Sequence, residues 1–142
     1  MKLIDLNVLL YVINQDAVHH EAALGWWRRA VSGDETIGLP WVVLLGFLRL
    51  TTNARVFPKP LDPATAARTV DQWIALENTS VVIETAEHWK TLRLLVEKAG
   101  TAGNLITDAH LAALAMTHDA VLVSCDNDFA RFKGLRFESP LD

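Results

Sequence analysis

Short apolar runs alternate along this chain with longer stretches in which hydrophobic residues recur every three or four positions, and polar or acidic residues close many of them. Lys2-Leu3-Ile4-Asp5 reads as a strand that runs straight into an apolar helix over 6–13, stopped by Asn14-Gln15-Asp16. His20, Leu24, Trp27 and Val31 repeat at helical spacing within 19–32, with Arg28 and Arg29 on another face and Gly33 just past the end. A brief strand at Thr36-Ile37-Gly38 follows, and Pro40 then opens a very apolar helix over 41–52. That apolarity suggests burial or a subunit contact. Pro58, Pro60 and Pro63 mark 53–63 as an ordered surface loop, and Asp62 or Thr65 caps the next helix, 64–75. The β-branched Val81-Val82-Ile83 predicts a strand. A helix over 86–99 is expected to place Trp89, Leu92 and Val96 on one side and to stop at Gly100. Gly103-Asn104 opens a turn into a small-residue helix over 106–118. An apolar strand, Val121-Leu122-Val123, then ends at Ser124. A turn or short helix around Asp128-Phe129-Ala130-Arg131 and a final strand near Leu135-Arg136-Phe137 complete the chain.

Short strands separated by helical patterns indicate an α/β sandwich with a mainly parallel sheet. In such sheets ligands bind beyond the C-terminal ends of the strands, and Asp5 and Asp126 both fall there. A chain of 142 residues fits one domain spanning 1–142, with no internal repeat. No apolar run approaches the roughly 18 residues that a membrane helix needs. Asp5 interrupts the N-terminal apolar segment, so no secretory leader is read and a cytoplasmic location is expected. Cys125 is the single cysteine, which excludes an internal disulfide and a thiolate metal cluster and makes it a small buried residue. The net charge of −4 argues against a general polyanion-coating protein but not against a nuclease, because clustered carboxylates lower the count and bound cations reverse their local sign.

The candidate chemistry lies in four acids on three separate stretches: Asp5, Asp108, and Asp126 with Asp128. Converging carboxylates repel one another, so such a cluster needs cations or raised pKa values. Oxygen-only ligation suits Mg²⁺ or Mn²⁺, which can bind a phosphodiester and make a water more acidic. Each acid also has a plain structural reading. Asp5 fits a strand-end turn, Asp126-Asn127-Asp128 a turn or cap, and Asp108 a first-turn residue favoured by the helix dipole at about 0.3–1 kcal/mol. Asn7, Thr107 and Ser124 flank these acids, where they either orient carboxylates or serve as turn and cap residues. Arg28, Arg29, Arg49, Arg55 and Lys59 are candidates for RNA phosphates or an acidic protein segment, against solvated surface positions. His110 points away from Asp108 at a spacing of two, and His19, His20, His88 and His118 lack a partner spacing. The five tryptophans, Trp26, Trp27, Trp41, Trp73 and Trp89, fit core or interface packing better than base stacking.

Four segments together resemble PIN-domain ribonucleases, specifically the toxins of VapBC-type toxin–antitoxin pairs. They are Ile4-Asp5-Leu6-Asn7-Val8-Leu9-Leu10, Phe47-Leu48-Arg49 with Thr51-Thr52-Asn53, the run from Gly103-Asn104-Leu105-Ile106-Thr107-Asp108 to Ala115, and Ser124-Cys125-Asp126-Asn127-Asp128-Phe129. The third is the most specific, and the resemblance covers nearly the whole length. It implies a three-layer α/β/α sandwich and a metal-dependent endoribonuclease acting on tRNA, rRNA or mRNA. Such an enzyme leaves 5′-phosphate and 3′-hydroxyl ends, and a cognate antitoxin silences it. In that pattern Asp5, Asp108 and Asp126 match metal-ligating acids, with Mg²⁺ or Mn²⁺ as the ion and Asp128 as a further ligand or water-positioning acid. One departure is Gly46, where many relatives carry a glutamate three positions before the arginine matching Arg49. The apolar helix beginning at Trp41 suits a homodimer. Two rivals remain. Asp5-Leu6-Asn7-Val8 is similar to the nucleophile motif of haloacid-dehalogenase-like phosphatases, although Asn7 replaces the usual second acid. Gly46 alone favours a binding module with weakened turnover.

Overall fold

The computed structural model describes residues 1–99, 103 and 105–142. Strands β1 (Lys2–Ile4), β2 (Ile37–Pro40), β3 (Thr79–Val82), β4 (Val121–Val123) and β5 (Phe137–Glu138) form one sheet in the order β3-β2-β1-β4-β5. Every pairing is parallel. Helices α1 (Leu6–Ile13), α2 (His20–Val31), α3 (Trp41–Thr51), α4 (Pro63–Ile74), α5 (His88–Ala99) and α6 (Leu105–Thr117) cover it, giving the three-layer α/β/α sandwich. A parallel sheet covered on both faces needs strands that are apolar on both sides. Leu3, Ile4, Ile37, Leu39, Leu122 and Val123 accordingly have almost no exposure.

The strand order reverses beside β1: the chain moves outward through β2 and β3, then returns to β4 on the other side of β1. Such a switch point opens a crevice at the C-terminal strand ends. Register fixes what lines it, because Ile4 lies level with Val123 and the next residues, Asp5 and Ser124, therefore leave the sheet side by side. The amide of Asp5 still donates to the Val123 carbonyl at 2.9 Å.

Local rules explain the helix starts. Asp5 is extended (φ −81°, ψ 156°) and caps α1, while Asp62 caps α4 by accepting from the Thr65 amide, with Pro63 in the first turn. Pro40 both ends β2 and precedes α3. Four expected elements move by two residues at one end. The second strand begins at Ile37 and runs to Pro40, the third starts at Thr79, and the last is Phe137–Glu138. Pairing with a neighbour decides these bounds: Pro40 is level with Val82, so Ile83 falls outside the ladder and is 61% exposed, and Leu122 is level with Phe137. Helix α5 starts at His88 rather than residue 86, and its buried stripe is His88 and Leu95. Leu92 and Val96 pack against the core as the spacing suggested, whereas Trp89 is 68% exposed. Of the tryptophans, Trp27 and Trp73 are core residues and Trp26 packs against the core, whereas Trp41 is half exposed on α3. The Gly100 helix stop and Asn104 of the expected turn lie outside the described residues. Among the described residues no helix is long and apolar enough to cross a membrane.

Candidate active site

Asp5 is almost fully buried at the crevice, with one carboxylate oxygen accepting from the Leu6 amide at 2.7 Å and the other from the Ser124 hydroxyl at 2.7 Å. Ser124 in turn accepts from the Asp126 amide at 3.0 Å and from the Asn7 side-chain amide at 3.2 Å. Asn7 accepts from the Cys125 amide at 3.1 Å through its own carbonyl oxygen. A single network thus ties the start of α1 to the end of β4. Asp126 caps a short 3-10 helix, Asn127–Arg131, by accepting from the Asp128 amide at 2.8 Å. Its position is set by that cap and by Ser124.

Asp108 arrives from a third direction, in the first turn of α6. Its carboxyl is pushed up to about 6, chiefly by burial and then by the charges of Asp5, Asp126 and Asp128, with Arg131 opposing them. Burial likewise raises Asp5, although the bonds from Ser124 and Leu6 counteract it and Asp126 adds repulsion. The four acids therefore share one electrostatic field. Among the described residues no three His, Cys, Asp or Glu side chains are gathered tightly enough to hold one ion together. Charges that repel while remaining apart are what a divalent cation would draw together, since it offsets the repulsion that helps to raise Asp108. The donor set, all carboxylate oxygen, fits a hard cation.

Asn7 and Ser124 join the network, whereas Thr107 is exposed on α6 and takes no part in it. Cys125 is half-buried rather than buried, and burial together with Asp5 raises its thiol to about 11, so it stays protonated. Arg28, Arg29, Arg49, Arg55 and Lys59 are all exposed. Arg29 lines a cavity of about 280 Å³ with Lys2 and Ile37, at the starts of β1 and β2 and so at the opposite end of the sheet. The cation that acts on Asp108 is Arg131, which the sequence reading left unassigned. Its Nε donates to the Asp128 carbonyl at 3.0 Å, and its guanidinium lies 3.7 Å from the Asp128 carboxylate.

Histidine partners also escaped the sequence. The Nε2 of His88 and the Nδ1 of His110 are 2.9 Å apart, and Nε2 of His110 lies 3.5 Å from Glu84. Both rings are held below the ordinary histidine range, mainly by burial. His110 thus packs α6 against α5. A 22-residue separation offers no local spacing that would reveal the pair. At Gly46, an added Cβ would stand 2.7 Å from the Cδ2 of Leu6, the residue after Asp5. A side chain there requires Leu6 to move, so Leu6 takes the room that a larger residue would need.

A family model described as PIN domain matches residues 2–135. The Mycobacterium tuberculosis protein named Ribonuclease VapC37 is 44% identical over 140 residues, which are 99% of this chain and 97% of that protein. Ribonuclease VapC33 of the same species is 39% identical, over 96% of each chain. Among solved structures, VapBC2 from Rickettsia felis bound to a DNA fragment from its promoter superposes with a TM-score of 0.73 at 19% identity, covering 97% of both chains.

Proposed function

Because the chain belongs to the PIN-domain family of VapC ribonucleases, we propose that it is a metal-dependent endoribonuclease, the toxin of a toxin–antitoxin pair. The supporting observation is the switch-point crevice where Asp5, Asp126 and Asp128 act on the carboxyl of Asp108. Asp5, Asp108 and Asp126 would hold Mg²⁺ or Mn²⁺, with Asp128 as a further ligand or water-positioning acid. Such an ion makes a water more acidic and offsets charge on the phosphate. The protein's own part is orientation. Ser124 and Leu6 fix both oxygens of Asp5, and Asn7 fixes Ser124. Asp108, protonated more readily than an ordinary aspartate, would be held in its ionised form by a bound cation. Arg131, beside Asp128, is a cation close enough to the acids to meet a substrate phosphate held there. Cleavage leaves a 5′-phosphate and a 3′-hydroxyl, as the family pattern implies.

One solved structure of this fold is named a toxin–antitoxin complex, from Klebsiella pneumoniae, and the partner proposed here is a cognate antitoxin that occupies the crevice. Trp41 and Leu45, both at least half exposed and one turn apart on α3, support a homodimer through that helix. The phosphatase reading fails on Asn7, whose amide is engaged with Ser124 and Cys125 and carries no acid.

Purified protein free of antitoxin, incubated with total tRNA and rRNA in Mg²⁺, Mn²⁺ or EDTA, is expected to give discrete fragments only with a divalent ion. Intact RNA in all three buffers, with RNA still bound, would identify a binding module. Ser124→Ala should leave KM for the RNA nearly unchanged and lower kcat about 10–100-fold, the usual scale for removing a group that orients a metal ligand. An unchanged kcat would show that Ser124 only terminates β4.

A further inference from the structure

A second feature adjoins the acids. Between α5 and the end of the 3-10 helix lies a groove of about 520 Å³, and among the described residues that line it none is acidic. Its rim carries Lys98, Arg131 and Lys133 with the exposed Leu94, and its floor includes Leu95, Met116 and Phe132. In a chain of net charge −4 this local gathering of cations suits an anionic occupant. The nearest acid on α5, Glu97, is engaged with Arg93 at 2.9 Å and does not neutralise Lys98. Arg131 belongs to both places, since it lines the groove and holds Asp128.

Resting on the ribonuclease reading above, we propose that this groove is a subsite for single-stranded RNA flanking the scissile phosphate. Lys98 and Lys133 meet backbone phosphates there, and a base lies against Leu94 and Met116. Three observations select RNA. The rim carries Lys98 and Lys133 beside the Asp128-held Arg131 and the floor is apolar, which suits a nucleotide's charged backbone and flat base. The groove is also continuous with the acids through Arg131, so a strand lying in it is led toward Asp108. The acidic site alone repels a polyanion, and a cationic track beside it supplies the attraction that brings the strand in.

The test uses Lys98→Ala/Lys133→Ala, two exposed positions outside the acid network. In the active enzyme, KM for a ten-nucleotide single-stranded RNA is expected to rise at least about fivefold with kcat within twofold. With Asp108→Asn added to prevent cutting, fluorescence anisotropy of the same RNA across a salt series should show the slope of log K against log salt falling by about 1.4, the release expected for two single-strand phosphate contacts. An unchanged slope and KM would overturn the inference. So would a variant that binds RNA normally but escapes inhibition by its antitoxin, which would assign the groove to the antitoxin. If the wild-type protein cuts no RNA in any metal, the ribonuclease reading fails by itself, and the salt slope still decides whether the groove holds RNA.

Discussion

Replacing Asp108 by asparagine is expected to lower RNA cleavage by about a thousandfold or more, beyond the ~10–100-fold scale of groups that merely orient ligands, while making the metal-free protein more stable above pH 6. The two effects have one origin. Asp108 is pushed up to about 6 because burial and the charges of Asp5, Asp126 and Asp128 disfavour its ionised form. In the unfolded chain the carboxyl titrates near the ordinary value of about 4. The folded state therefore holds the proton more tightly, so the penalty is absent below pH 4, grows between pH 4 and 6, and is complete above 6. Asparagine keeps the shape and abolishes that penalty. Asp108 is only half-buried, and solvent screening reduces the gain to about 1 kcal/mol. Melting curves in EDTA at pH 4 and pH 7 measure it, with the variant equal to wild type at the first and higher at the second. Added Mg²⁺ should reverse the order by raising the melting temperature of wild type alone, because the ion binds the folded state through the carboxylate that the variant lacks. A variant that cuts RNA at the wild-type rate would remove Asp108 from the site. One that melts identically at pH 7 in EDTA would show that the acids do not act on it as a group.

That electrostatic argument joins residues the sequence could place only one by one. Asp5 was legible as a strand-end residue because the apolar run before it and the helical run after it leave no other position, and α1 and β4 fall where the pattern put them. The meeting of Asp5 with Ser124 was not legible from spacing, since it depends on β4 returning beside β1 in register. Strand register also moved the bounds of β2, β3 and β5, which are set by what each strand pairs with rather than by its own composition. On α5 the deepest burial falls on His88 and Leu95 with the expected Leu92 and Val96 packed beside them, and the hydrophobic Trp89 is left in solvent. Basic residues were the hardest to read. Arg28 and Arg29 are adjacent and conspicuous in the sequence, yet Arg29 sits at the far end of the sheet. Lys98 and Lys133 are 35 positions apart and share a groove only after folding.

Truncating Phe47 to alanine is expected to have the opposite signature to Asp108→Asn: a loss of about 3–5 kcal/mol in stability with cleavage by the folded protein nearly intact. Phe47 is completely buried on α3, and its ring meets Trp73 of α4 edge-on at a centroid distance of 4.7 Å. Trp73 meets Trp27 of α2 in the same way at 5.8 Å. Three helices are thus locked through three rings, and edge-to-face pairs add about 0.5–1.5 kcal/mol each beyond the apolar area they bury. Alanine at 47 leaves Trp73 facing a void that the surrounding core cannot close without moving α3 or α4. For a chain of this length the melting temperature should fall by about 10–17 °C. The acids should tolerate this. They stand on α1, α6 and the segment after β4, and Gly46, which contacts Leu6 beside Asp5, is a separate contact of α3 from the ring that meets Trp73. At 15 °C, where the variant remains largely folded, kcat per folded molecule is expected within about threefold of wild type, less than ~1 kcal/mol of barrier. A much larger fall would mean that α3 transmits its displacement through Gly46 and Leu6 to Asp5, and that the rings of the core help to aim the carboxylate.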